Sequence, residues 1–342
     1  MRAAVFRQAG SPLTIENIED PAPASDQVII EVAHAGICGS DLHVTEYGFV
    51  PDGTVLGHEF AGTVVALGSG IGSDIKLGDR VTALPVHACQ SCEACDAGLP
   101  ALCSAALFTG TALNHRGAYA DYVAARGSLI QKLPDGVSFA EGAMVEPLSV
   151  AYHAVSLAPV HRGAAVLVIG AGPIGAGATL FARMQGARHV IVSERSAERR
   201  ALALECGATA VIDPQTEDVA ARFAAIAGKR PEIVFECVGL PGLLQQAIEF
   251  AGTRGRVIVA GVCFGEDTLK PITGLMKEVS LQFSQCYTES DFAAVIDAIA
   301  RGEARPQPMH SRTVSFAELP EAFEGLRNNP RACKVLIDPK RG

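Results

Sequence analysis

A buried-type strand that runs straight into a glycine turn constrains this chain more than any other feature. Val166-Leu-Val-Ile169 is a run of β-branched and aliphatic residues with no polar face, the pattern of a strand covered on both sides. It leads directly into Gly170-Ala-Gly-Pro-Ile-Gly175 and a helix-compatible stretch over 176–185. In a strand, G-x-G-x-x-G, helix unit each glycine has its own task. Gly170 permits the tight turn, Gly172 lets backbone approach a pyrophosphate, and Gly175 lets the helix pack close, while the helix N-terminus favours phosphate charge. A second strand, His189-Val-Ile-Val-Ser193, ends in Glu194, about 20 residues beyond the glycines, where an acid accepts hydrogen bonds from ribose hydroxyls. Further buried-type runs at 210–213, 233–236, 256–260 and 281–285 predict a six-stranded doubly wound parallel sheet, an α/β fold of the Rossmann type. Gly170, Gly172, Pro173, Ile174, Gly175, Glu194 and Arg199 are the cofactor-binding candidates. Glu194 repels the extra phosphate of NADP and favours NAD, whereas Arg195, Arg199 and Arg200 follow closely enough to accommodate that phosphate.

The first 85 residues have a different texture, with short β-like alternation broken by turn residues, and predict an all-β, barrel-like module. Within it Gly36-Ile-Cys-Gly-Ser-Asp-Leu-His43 gathers a thiol, a hydroxyl, a carboxylate and an imidazole in eight residues. Cys38 suits a borderline-soft ion such as zinc, Ser40 can exchange a proton beside it, and His43 can carry that proton on to water. Gly57-His58-Glu59 supplies adjacent nitrogen and oxygen donors. Glu146, in the apolar run Met144-Val-Glu-Pro-Leu-Ser-Val150, is a carboxylate that needs a positive partner. Cys38, His58, Glu59 and Glu146 together make the open, mixed donor set expected of catalytic zinc.

A second cluster is more sharply spaced. Cys89, Cys92, Cys95 and Cys103 are separated by two, two and seven residues, which suits either a closed four-thiolate structural zinc or an iron–sulfur cluster. A metal there supplies the lobe's folding energy, so chelation is expected to loosen the lobe before the β core. Cys206, Cys237, Cys263, Cys286 and Cys333 show no ligand spacing and read as packing or surface residues, as does His153. After Pro134-Asp-Gly136, Ser138-Phe-Ala-Glu141 has the form of a capping box that opens a helix over 138–158. A helix over 292–300 and a closing strand over 332–338, with the alternation of the N-terminal module, imply that the chain returns to its first domain.

Composition narrows the function classes. A net charge of −9, with no Lys/Arg cluster, argues against nucleic-acid and anionic-membrane partners, and so against a zinc-ribbon nucleic-acid binder. No apolar run reaches the ~18 residues of a membrane span and no apolar leader precedes a cleavage site, so a cytoplasmic location is expected.

With these motifs in this order the chain resembles the zinc-dependent medium-chain alcohol and polyol dehydrogenases, nearest the sorbitol, butanediol and threonine dehydrogenase branch. The resemblance implies a GroES-like catalytic domain over 1–150 with a structural zinc lobe at 87–104. A Rossmann NAD-binding domain over 151–287 and a return to the catalytic domain over 288–342 would follow. It implies two zincs per chain, a dimer or tetramer, Cys38, His58 and Glu59 at catalytic zinc with Glu146 as fourth or water-bridged ligand, and a Ser40–His43 proton relay. Hydride would pass between an alcohol and NAD, giving a ketone. Where the polyol branch carries an Arg-Tyr pair on its last Rossmann strand, this chain has Ser284 and Gln285, and Val44 follows His43 where tyrosine often stands. Those departures favour a smaller or more hydrophobic secondary alcohol, in a pocket of Val44, Phe49, Phe108 and Leu113, over a polyol or sugar phosphate. A non-catalytic nucleotide-binding protein on the same fold is the alternative of another class.

Overall fold

The computed structural model describes residues 1–328 and 331–341. The chain divides into two compact units. One comprises Met1–Glu146, Thr288–Ala300 and His310–Gly342, and the other Pro147–Tyr287 and Arg301–Met309. The division falls inside one helix, Phe139–Ser156. Its start is a capping box, in which the Ser138 amide and hydroxyl donate to Glu141 Oε2 at 2.8 and 2.6 Å and the Glu141 amide donates back to Ser138 Oγ at 3.2 Å.

The second unit is built on six parallel strands. In spatial order they are Ala210–Ile212, His189–Ser193, Ala165–Ile169, Ile233–Glu236, Arg256–Val259 and Ser280–Phe283. The earliest strand in sequence is third in space, so the order reverses beside it, and in such sheets ligands bind at the carboxyl ends of the strands at that reversal. Every residue of Ala165–Ile169 is buried, which explains its uninterrupted apolar composition. The strand runs into the helix Pro173–Met184, with proline in the first turn and Gly172 as N-cap.

The first unit is centred on the long strand Gln27–Gly36. It pairs antiparallel with Glu59–Leu67, Tyr122–Arg126 and the closing strand Lys334–Ile337, so the end of the chain lies beside Gly36. Its core gathers Val28, Ile30, Val32, Phe60, Val64, Val123, Val335 and Ile337. One expectation for this region is corrected: residues 1–85 are not all β, because Gly39–Glu46 is a helix with Cys38 as its N-cap. That helix has no apolar stripe for periodicity to reveal. Tertiary contacts brace it instead, through Arg327, which donates to Leu42 O at 2.8 Å and Thr45 Oγ1 at 3.0 Å.

Candidate metal and cofactor sites

The segments that carry Cys38, His58 and Glu59 converge because Gly36↔Glu59 is a paired position of neighbouring strands, with Cys38 two residues beyond one and His58 one before the other. One ligand atom from each of the three residues lies within 4.8 Å of the other two. Glu146 is buried, 7% exposed, and falls outside that set. Ser40 Oγ donates to Cys38 Sγ at 3.2 Å. His43 stands on the same helix with its side chain 44% exposed, and its Nδ1 is 3.8 Å from Glu46 Oε2. Of the expected pocket walls, Val44 is half-buried against the β core, whereas Phe49 and Leu113 are exposed.

The surroundings of this cluster select for positive charge. Burial favours a neutral His58, but Asp41 and Cys38 outweigh it and raise the imidazole's pKa well above its ordinary range. Burial likewise opposes charge on Lys334, yet Glu59 and Cys38 raise its pKa. For Tyr119 burial acts first and Asp41, Glu59 and Cys38 add to it, pushing the phenol well up. A thiol, an imidazole and a carboxylate in such a field fit zinc.

Two residues that the sequence reading passed over shape the cluster. Lys334, 1% exposed, donates to Glu59 Oε1 and Oε2 at 2.7 and 2.6 Å and to Ile37 O at 3.0 Å. Both carboxylate oxygens of the expected ligand Glu59 are thus engaged by a cation. A lysine inside the apolar strand Ala332-Cys-Lys-Val-Leu-Ile337 is the signal that would have revealed it. Tyr119 donates to Asp41 Oδ2 at 2.5 Å, and nothing in its local sequence announces that role.

The lobe cysteines meet as well. One sulfur from each of Cys89, Cys92, Cys95 and Cys103 lies within 4.8 Å of the others, with Cys95 3.9 Å from Cys89 and 3.6 Å from Cys92. Tetrahedral bonds of about 2.3 Å put sulfurs about 3.8 Å apart. These separations therefore fit one ion, whereas an iron–sulfur cluster spreads its thiolates around several irons. Backbone and hydroxyl hydrogen bonds from Ser91, then the neighbouring thiols, lower the Cys89 pKa to about 6, in the direction a thiolate ligand needs.

In the second unit the glycine turn has the expected form. A Cβ on Gly175 would stand 1.9 Å from Gly170 O, so only glycine admits this close return of the helix, and Gly170 has φ +90°. A Cβ on Gly172 would meet only Arg199 Nη1, at 3.9 Å, so the turn leaves an open cradle beside a cation that fits a pyrophosphate. Pro173 and Ile174 open the helix. Glu194 accepts from the amides of Ala171 and Ser196, one on each oxygen and both at 2.8 Å, which sets its carboxylate over the turn. Arg200 is committed elsewhere, donating to Glu194 O and Arg195 O at 2.8 and 2.6 Å and pairing with Asp213 at 3.1 Å. Among the described residues no helix is long and apolar enough to cross a membrane.

Comparison with known proteins agrees with this geometry. Residues 24–135 match the alcohol dehydrogenase GroES-like domain and residues 173–301 the zinc-binding dehydrogenase domain. Sorbitol dehydrogenase of Gallus gallus is 34% identical over 345 residues, covering 98% of this chain and 95% of the relative. A zinc-binding dehydrogenase of Sinorhizobium meliloti 1021 solved with NADP has a TM-score of 0.92 at 31% identity, over 99% of both chains. The 2R,3R-butanediol dehydrogenase of Bacillus subtilis has a TM-score of 0.91 at 30% identity, again over 99% of both. The chain belongs to the zinc-dependent medium-chain alcohol and polyol dehydrogenase family, and is an oxidoreductase of alcohols.

Proposed function

We propose that this protein oxidises a small secondary alcohol or vicinal diol to the ketone with NAD, reversibly, using two zincs per chain. The observation that carries this reading is the convergence of Cys38, His58 and Glu59 with Ser40 hydrogen-bonded to the thiol. When bound, zinc supplies Lewis-acid stabilisation of the alcohol oxygen and nicotinamide supplies the hydride acceptor. Cys38 and His58 would hold the ion, with Glu146 as a further ligand directly or through water, and Glu59 would offer its carboxylate while paired with Lys334. Ser40 takes the substrate's proton once its hydroxyl turns from Cys38 Sγ, and His43, at the surface, passes it to solvent. The four lobe cysteines hold the second zinc. Residues 1–150 and 288–342 act as the catalytic domain and 151–287 as the NAD domain.

NAD is favoured over NADP because Glu194 places negative charge where the extra phosphate would sit and Arg200 is already bonded to Asp213. Replacing Glu194 with serine is expected to raise KM for NAD about tenfold and to narrow its advantage over NADP. Unchanged constants with both cofactors would remove that role. The substrate reading is tested by NAD reduction over 2-butanol, 2,3-butanediol and sorbitol at equal concentration. Faster turnover of sorbitol would favour the polyol reading, to which the similarity to sorbitol dehydrogenase points.

The assembly we infer is a dimer, or a tetramer built from it, through the edge strand Ser280–Phe283. All four residues of that strand are exposed, with Leu281 and Phe283 on one face, and Ile272, Leu275 and Met276 are exposed nearby in sequence. An apolar edge of this kind pairs readily with a second copy across a two-fold axis. Phe283→Lys is therefore expected to shift the mass measured by light scattering towards the monomer, and an unchanged mass would locate the contact elsewhere.

A further inference from the structure

Tyr119 is wholly buried, yet its hydroxyl is directed at the metal cluster rather than at core backbone alone. It donates to Asp41 Oδ2 at 2.5 Å, with Gly36 O a more distant acceptor at 3.2 Å. The other oxygen of the same carboxylate, Asp41 Oδ1, is 3.4 Å from His58 Nδ1, which leaves Nε2 of His58 as the ligand atom. Asp41 is 3% exposed, so bulk water has little access to its carboxylate. The chain is arranged around this phenol. Gly57, immediately before His58, has φ +98° and its Cβ would lie 2.5 Å from the Tyr119 ring, so only glycine admits the tyrosine there. The Tyr119 amide donates to Leu56 O at 2.9 Å and the Ala118 amide to Gly57 O at 2.8 Å, tying the tyrosine's segment to the turn that carries His58.

We propose that Tyr119 is a positioning residue for the catalytic metal: its hydroxyl fixes the Asp41 carboxylate, and Asp41 fixes the ring of His58. The inference rests on the reading of Cys38 and His58 as zinc ligands. A carboxylate that orients a ligating histidine is worth roughly 10–100-fold in metal affinity, and a group that holds the carboxylate acts through the same contact. Removing the hydroxyl leaves Asp41 free to turn from Nδ1, so the ring loses its orientation and the ion is held less tightly.

The test uses zinc-loaded full-length protein in competition with a chromophoric chelator. The ion present in wild type and missing from Cys38→Ser is the one followed. Tyr119→Phe keeps the ring, including its edge contact with Phe323 at 6.4 Å, and removes one oxygen. It is expected to release that ion about tenfold more readily while the lobe ion is unaffected. In the Asp41→Asn background the same change is expected to alter release less than about twofold, because coupled residues are not additive. A merely structural tyrosine would not show this coupling. Equal release from Tyr119→Phe and wild type, or an undiminished effect in the Asp41→Asn background, overturns the inference. If wild type and Cys38→Ser hold the same number of zincs, the metal reading itself has failed.

Discussion

Replacing Cys38 with serine is expected to cut zinc from two ions per chain to one and to lower kcat/KM by on the order of 1,000-fold or more. The physical ground is that a serine hydroxyl stays protonated at neutral pH and is a poor partner for a borderline-soft ion, whereas a cysteine sulfur is a good one. Loss of a Lewis acid that stabilises developing charge on oxygen removes several kcal/mol from the transition state, and about 1.4 kcal/mol is a factor of ten. The lobe cysteines make the comparison internal. Cys103→Ser is expected to lose the other ion, with proteolysis first in the segment around 87–104, since a structural metal contributes folding energy. Metal analysis beside NAD reduction checks both variants. Two zincs retained in Cys38→Ser together with full activity would sink the assignment.

Lys334→Met is expected to destabilise the protein by about 3–5 kcal/mol, because it leaves the fully buried Glu59 carboxylate without its cation. Adding Glu59→Gln should recover much of that loss, since removing both charges avoids the unpaired one. Urea unfolding of the two variants checks this. Metal provides a further comparison. If Glu59 turns to the ion when Lys334 is absent, the loss is smaller in zinc-loaded than in zinc-depleted protein; equal losses would mean that Glu59 serves Lys334 alone. The pH dependence has a definite sign. Lys334 has a raised pKa in the folded state, with burial opposing and Glu59 and Cys38 outweighing it, so its contribution is fully present below the ordinary lysine value of 10.5. It is lost as pH rises through the folded value. Wild type should therefore lose stability in strong alkali more steeply than the double variant.

What the sequence determined by itself was local chemistry and periodicity. The strand Val166–Ile169 and the turn Gly170–Gly175 were legible because a strand buried on both faces must be apolar throughout, and a close helix return excludes every side chain but glycine. The spacing of Cys89, Cys92, Cys95 and Cys103 marked a candidate metal lobe, and Ser138 with Glu141 marked a helix start, because each device closes within a short segment. Tertiary structure alone decided what lies around the candidate ligands. The helix Gly39–Glu46 escaped notice because it has no apolar stripe and is held by Arg327, far along the chain. Lys334 reaches Glu59 only because Lys334–Ile337 pairs beside Gly36, a neighbour that strand order and no local pattern provides. Tyr119 meets Asp41 in the same way. Candidate ligand types are properties of residues and their spacing, whereas the buried charges and hydroxyls that contact them or their neighbours come from distant segments, and only the folded sheet brings them within hydrogen-bond reach.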